Sequence, residues 1–376
     1  MRDRRWRAAL IALGVVTVAI VSAIPGHHGG DIVAEMQVSE RLLHGEPLYP
    51  SDLFPTGTVW APFTAVALVP LALLARLSPL AATTVWSLLL FGGLALTIAL
   101  AQRWGRRGVL LALAAVAVPL QLDFEYRNIN TVLLLLLVAA AVDLEEGRQA
   151  RAGLWLGLAA AAKAFPAFAF IYLSVRRQWR GLAVASTVAA VGTLASLIPY
   201  GPTGALETAR AWLHLSLDPA RWPLTLGNQS LHAVSTRLGL IPEVVIALQV
   251  LSVACTAVVV WRGAPALGAL SGVAATTLLA LLVSPLSWVH YRVLAIPAWM
   301  AVLARASVRP PTRAVAIALV LAGIGTSGVL TIAPRALKVA ALESGSYFWG
   351  VLLLLIVLAS PRLPRIAADP LPPRTP

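Results

Sequence analysis

Charge is scarce in this chain. Of 376 residues only 12% are Asp, Glu, Lys or Arg, and there are three methionines and a single cysteine, Cys255. One cysteine excludes an intrachain disulfide and a cysteine-based zinc cluster. Acids are scarcer than bases, 16 against 29, which leaves a formal charge of +13. In a soluble protein that excess would point to nucleic acid. Here 59% of residues are hydrophobic and the mean hydropathy is +0.82, more apolar surface than a soluble domain can hide. Long apolar runs are what the sequence has in abundance. A bilayer crossing takes about 20 residues, so about a dozen would use roughly 240 positions. The remainder is too short for an independent soluble domain of ordinary size. The expectation is an all-α polytopic membrane protein with no nucleic-acid partner.

The runs fall at about Ala8–Ile24, Val59–Ala75, Ala81–Ala101, Gly108–Leu120, Thr131–Val142, Ala152–Ala162, Phe165–Val175, Leu182–Ile198, Val244–Val260, Leu267–Val283, Val293–Ala304, Ala314–Ile332 and Tyr347–Ala359. Basic clusters then set orientation, because cytoplasmic loops collect Lys and Arg. Arg2 to Arg7 place the N-terminus in the cytoplasm, with the first run an uncleaved helix. Arg103 to Arg107 fit the same side only if Val59–Ala75, interrupted by Pro62 and Pro70, does not cross. Glu145 to Arg151 and Arg176 to Arg180 flank one apolar stretch and both read as cytoplasmic, so that stretch must turn round. Lys163-Ala164-Phe165-Pro166 lies at its midpoint, where proline breaks a helix.

These decisions predict one integral membrane domain over 1–361, with about twelve crossings and both termini cytoplasmic. It has outer loops 25–58 and 199–243, an interfacial or re-entrant segment 59–75, a short helical hairpin 152–175 and a disordered cytoplasmic tail 362–376. On this topology nineteen of the bases lie inside, while eleven acids and all six histidines lie outside. The polar chemistry gathers on the extracytoplasmic face.

The first outer loop is the most informative segment. Asp31 to Leu43 alternates apolar and acidic residues and reads as an amphipathic helix lying in the interface. Asp31 at its start is either an N-cap or a carboxylate placed to take a proton from a sugar hydroxyl. Lys163 is the one base within the apolar depth, where an ionisable group is a functional candidate or else a snorkelling structural lysine. Arg127 has Asp123 and Glu125 beside it, so an ion pair competes with phosphate binding. His290 and Arg292 open a helix after Ser284-Pro285. His27-His28 with Asp31 is the nearest approach to a metal cluster and lacks a clear fourth ligand; no metal site is predicted. Trp212, Trp222 and Trp288 read as interfacial anchors, with stacking open for Trp288.

Asp31 followed by Leu42-Leu43-His44-Gly45-Glu46-Pro47-Leu48-Tyr49-Pro50 resembles the first-loop motif of the polyprenyl-phosphate-mannose-dependent α-mannosyltransferases of actinobacteria, glycosyltransferase family 87. Further similarities follow in order: Ala61-Pro62-Phe63 with Val69-Pro70-Leu71; Arg127-Asn128-Ile129-Asn130, where the family often has Gly-Gln-x-Asn; Gly153 to Ala159 ending in Lys163-x-x-Pro166; Gly227-Asn228-Gln229-Ser230; and Ser284 to His290. The resemblance covers about residues 25 to 300.

It implies a GT-C-type glycosyltransferase fold whose active site lies under the first outer loop. The implied reaction takes mannose from polyprenyl-phosphate-mannose to a glycolipid or lipoglycan acceptor at the outer leaflet of the plasma membrane, with inversion. Asp31 matches the family's essential acid, and His290 is a second candidate for the base. Lys163, Arg127 and Arg292 are then the candidates for the donor phosphate. Asn130, Asn228, Gln229, Trp288 and Tyr49 are the candidates for sugar or acceptor. No cofactor beyond the lipid-linked donor is expected. Arg127-Asn128, Trp60 and Tyr291 depart from the family pattern and bear on donor and acceptor choice. A transferase of arabinofuranose or another polyprenyl-phosphate sugar is the alternative within enzymes. A lipid-linked sugar flippase or transporter is the alternative outside them, and it predicts internal repeats that the sequence does not display.

Overall fold

The computed structural model describes residues 30–50, 60–218, 222–263, 268–308 and 310–360. The expected first helix, His27-His28 and the C-terminal tail lie outside the described residues. Within them the architecture is all-helical. The elements are α1 (Asp31–Leu43), α2 (Phe63–Ala67), α3 (Val69–Leu77), α4 (Pro79–Ala101), α5 (Arg106–Ala114), α6 (Ala117–Glu125), α7 (Asn130–Glu145), α8 (Gln149–Ala162) and α9 (Ala169–Val175). They continue as α10 (Trp179–Leu197), α11 (Gly201–Leu217), α12 (Leu231–Arg237), α13 (Pro242–Gly263), α14 (Ala269–Val283), α15 (Ile296–Val308), α16 (Arg313–Ser327), α17 (Arg335–Glu343) and α18 (Ser346–Ala359). No strand occurs among the described residues; an isolated antiparallel bridge joins Asn228 to Trp288.

Three stretches are long and apolar enough to cross a membrane: Pro79–Trp104, Trp179–Leu217 and Val289–Val308. Two bent pairs qualify when each is taken as one span: α5 with α6, bent by 69°, and α17 with α18, bent by 55°. The local structure is more specific than the runs alone indicate. The run Gly108–Leu120 is no straight helix, because the chain turns at Ala115 and Val116 and continues as α6 to Glu125. Segment 199–243, expected as an outer loop, is largely helical. A 3₁₀ turn at Ile198–Tyr200 carries α10 into α11 and Pro202 sits in the first turn, where a missing N–H costs nothing.

α8 and α10 run parallel. A Cβ built on Gly153 would lie 2.3 Å from the Gly181 carbonyl oxygen, one on Gly157 would lie 2.7 Å from Ala185 O, and one on Gly192 would lie 3.2 Å from Ala161 Cβ. In a bilayer, apolar surface gives helices no preference for each other over lipid, so close backbone approach at small residues drives pairing. Gly153, Gly157 and Ala161, spaced by four, supply one such face. The intervening chain doubles back through a 3₁₀ turn at Phe165–Phe168 and α9.

Near the α7–α8 turn the charges pair with one another. Arg103 bonds Glu146 at 3.0 Å, Trp104 Nε1 donates to Glu145 at 3.2 Å, and Arg148 and Trp155 both reach Asp143. This belt gathers the 103–107 and 143–151 clusters at one end of the bundle.

Gly157→Val forces a branched side chain into Ala185 and Val188. A loss of about 1–3 kcal/mol is expected from such overpacking, read as a drop in Tm in detergent. Gly92→Ala is the control, because nothing lies within 4 Å of its added Cβ.

Candidate active site

The site forms where the start of α1, the α6–α7 corner and the end of α8 meet. At the corner Asn128 N–H bonds Asp123 O at 3.0 Å and Arg127 N–H bonds Phe124 O at 3.1 Å, with Arg127 at φ 50°. That is the paired-bond helix stop whose left-handed position usually falls to glycine. It accounts for Gly standing at this position in the resembled motif. Trp86 Nε1 pins the corner by donating to Arg127 O at 2.8 Å. The corner in turn receives α1: Asp31 N–H donates to Tyr126 O at 2.8 Å. Gly30, at φ 76°, makes this approach possible, since a Cβ there would lie 2.9 Å from the same carbonyl.

α8 ends at Ala162, and Lys163 follows in extended conformation, with Ala61 N–H bonded to Ala162 O at 3.2 Å. The Lys163 ammonium, 4% exposed, points back into the corner. It donates to Asn128 Oδ1 at 3.0 Å and to Asn130 Oδ1 at 3.5 Å, and stands 3.9 Å from the centre of the Tyr291 ring. Asn128 passes its amide N–H to the Asp31 carboxylate, and Asn130 donates to Asp123 Oδ1 at 2.7 Å. Base, amide and acid thus form one connected chain. Asp31 is half-buried and Asp123 fully buried, with Asp123 Oδ2 lacking a partner.

His290 joins from the other side. Its ring centre lies 5.2 Å from that of Tyr126 and 4.9 Å from that of Tyr291, and its buried Nε2 has no partner among the described residues. The 3₁₀ turn Val289–Ala295 that carries it is held by a clasp between two distant motifs. Asn228 Nδ2 donates to Pro223 O and Pro285 O, both at 3.0 Å, while its Oδ1 accepts from Ser230 N and Ser287 N. Arg292, fully buried, donates to Ser287 O at 3.0 Å, Trp288 O at 3.1 Å and Gln229 O at 2.7 Å.

Several expected site residues are therefore placed differently from one another. Asp31, Lys163, Asn130 and His290 converge. Asn228, Gln229 and Arg292 are engaged in the clasp: the Gln229 amide donates to Leu226 O and Leu342 O, and the two terminal Arg292 nitrogens donate to three carbonyls and the Ser287 hydroxyl, while Gln229 Oε1 and Arg292 Nε are buried with no partner among the described residues. Trp288 packs its ring on Gly227. Arg127 contributes its backbone to the corner, and Asp123 accepts from Asn130. Tyr49 lies in a separate small cluster.

Sequence reasoning passed over Glu35 and Asn128. Glu35 follows Asp31 by four residues, so both fall on one helix face. It is buried, and its Oε1 accepts from Trp60 N–H at 3.0 Å. Burial pushes the Glu35 carboxyl up to about 8, with Asp31 adding to the rise and the Trp60 amide opposing it. Burial also raises Asp31, against the nearby Lys163 charge and the Asn128 amide. Among the described residues no group of three His, Cys, Asp or Glu side chains is placed to hold a metal ion.

A buried helix-end lysine linked through an amide to an acid is the polar centre of an all-helical bundle with helices long and apolar enough to cross a membrane. A family model described as Glycosyltransferase family 87 matches residues 59–285. The match covers more than half of the chain, and the protein belongs to glycosyltransferase family 87; it is an enzyme of the hexosyltransferase class. Comparison with curated proteins and with solved structures returned no match.

Glu35 supplies a pH test. Its folded-state proton is held more tightly than in the unfolded chain, so its contribution to stability is present in acid and lost as pH rises through about 8. Glu35→Gln keeps an acceptor for Trp60 N–H and has no proton to lose. Its Tm should vary less than wild type between about pH 5 and about pH 8.5, with the variant the more stable at the alkaline end. Parallel profiles would place the Glu35 proton elsewhere.

Proposed function

We propose that this glycosyltransferase moves mannose from polyprenyl-phosphate-mannose to a glycolipid or lipoglycan acceptor on the extracytoplasmic face of the plasma membrane, inverting the anomeric centre. The observation that carries the reading is the Asp31–Asn128–Lys163 chain at the end of the bundle opposite the charged belt. α7 runs from Asn130 in the site to Glu145 in the belt, and α8 runs from Gln149 back to Lys163. At 1.5 Å per residue each separates the two by about 20 Å. A belt rich in arginine belongs in the cytoplasm, so the site faces outward. In this reading the chain makes about twelve crossings with both termini cytoplasmic.

The acceptor hydroxyl attacks C1 of the donor sugar and gives its proton to the Asp31 carboxylate. The bond from C1 to the phosphate oxygen breaks, and its electron pair leaves with the polyprenyl phosphate. A base works best when its pKa is close to the working pH, and burial moves Asp31 in that direction. Charge developing on the departing phosphate is met by the Lys163 ammonium, held in place before the reaction begins. Preorganised electrostatic stabilisation of this kind is usually the largest catalytic contribution. His290, with its unpartnered Nε2, stands beside the same centre. The reading calls on no cofactor besides the lipid-linked donor.

The test is transfer from synthetic polyprenyl-phosphate-mannose to a membrane lipid extract, with the full chain in nanodiscs. Wild type is expected to turn over. Asp31→Asn should retain donor binding and lose at least about a hundredfold in kcat, the usual scale for a general base. Full activity in that variant would remove Asp31 from the role. Turnover with polyprenyl-phosphate arabinofuranose in place of the mannosyl donor would transfer the reading to that sugar.

A further inference from the structure

A second, smaller apolar cluster lies where α1 meets α11. Val38, Leu48, Tyr49, Ala65 and Leu215 are its buried members, and Trp212 and Tyr200 pack on them. Two hydrogen-bond donors are buried here with no partner among the described residues, Tyr49 Oη and Trp212 Nε1. A buried donor left unmatched costs its full desolvation, and phenylalanine would fill the Tyr49 place without that cost.

The surroundings say what kind of partner is missing. Burial, with Glu35 and Tyr200 beside it, pushes the Tyr49 hydroxyl upward, so it stays protonated and donates. Tyr200 Oη already donates to Glu46 O at 2.8 Å. Arg41, near the same loop, pairs with Glu46 at 3.0 Å and donates to Pro47 O. The cluster therefore encloses neutral donors beside aromatic faces. A ligand with several neutral oxygens and apolar C–H faces, a sugar ring, meets both requirements; aromatic residues with a polar tip suit such half-polar contacts. Glu35 connects the patch to the reacting centre, since it neighbours Tyr49 and stands one turn along α1 from Asp31.

We infer that the seam between α1 and α11 is the subsite for the acceptor's carbohydrate, with Tyr49 Oη and Trp212 Nε1 donating to its oxygens. The assignment rests on the function proposed above, which requires a sugar-bearing acceptor next to Asp31. It adds Trp212, and with it α11, to the site.

The experiment uses Tyr49→Phe and Trp212→Phe in the full chain in nanodiscs, with two readouts. In the transfer assay each variant should raise the acceptor KM about tenfold, the effect of about 1.4 kcal/mol, and leave the donor KM unchanged. Without turnover, mannotriose, maltotriose and an arabinofuranosyl trisaccharide are titrated against Tm. At least one should stabilise wild type, and each variant should lose that shift. Variants that are more heat-stable than wild type, with acceptor KM and sugar-dependent shift intact, would overturn the subsite. So would a wild type that none of the three sugars stabilises. Tyr49→Phe removes a single oxygen and decides the matter alone if Trp212→Phe does not fold. Stabilisation by sugar without any transfer from a polyprenyl-phosphate donor would remove the proposed reaction and leave the subsite standing.

Discussion

The structure is organised around one ammonium that water does not reach. Placing a charge at depth costs several kcal/mol unless polar groups surround it, and Lys163 is surrounded by groups from separate elements. Asn128 and Asn130 come from the corner between α6 and α7, and the Tyr291 ring comes from the turn before α15. Asp31, at the head of α1, reaches the ammonium through Asn128. None of these partners is close to Lys163 in sequence. The bundle must therefore assemble before the charge is accommodated, and the charge in turn fixes how those elements meet.

What brings Lys163 to that point is packing without bulk. Gly153 and Gly157 let α8 lie on α10 at backbone distance, and the parallel pairing obliges the chain between them to return. Lys163 is held at the resulting turn, close to the site end of the bundle. At the opposite end the acids of the α7–α8 turn take up the arginines. α7 and α8 thus carry a charged belt at one end and a buried polar cluster at the other.

The clasp of Asn228 and Arg292 serves a different purpose from the cluster that it adjoins. Arg292 is buried with its donors turned to carbonyls of its own loop and of Gln229. Asn228 is saturated by backbone on both sides. Together they keep the segment before α15 in a shape that sets His290 and Tyr291 against Tyr126 and Lys163. Motif residues can therefore shape the segment beside a polar cluster without joining it.

Local chemistry made much of the molecule readable in advance. Apolar runs identified a membrane protein, proline and the Lys163–Pro166 step marked the broken helix, and the collinear motifs pointed to glycosyltransferase family 87. Asp31, Lys163 and His290 stood out because ionisable groups are rare in such a chain. Other features were not readable. Segment 199–243 carried no helical signal that was read, although α11 occupies Gly201–Leu217. Glu35 looked like one more acid on a polar face until burial set it apart. Asn228 and Arg292 had the right chemistry for a sugar or a phosphate, and only the fold showed which partners occupy them. Composition and spacing decide which side chains can react. Tertiary structure decides which of them are left with hydrogen-bonding capacity to do so, because that depends on neighbours dozens or hundreds of residues away.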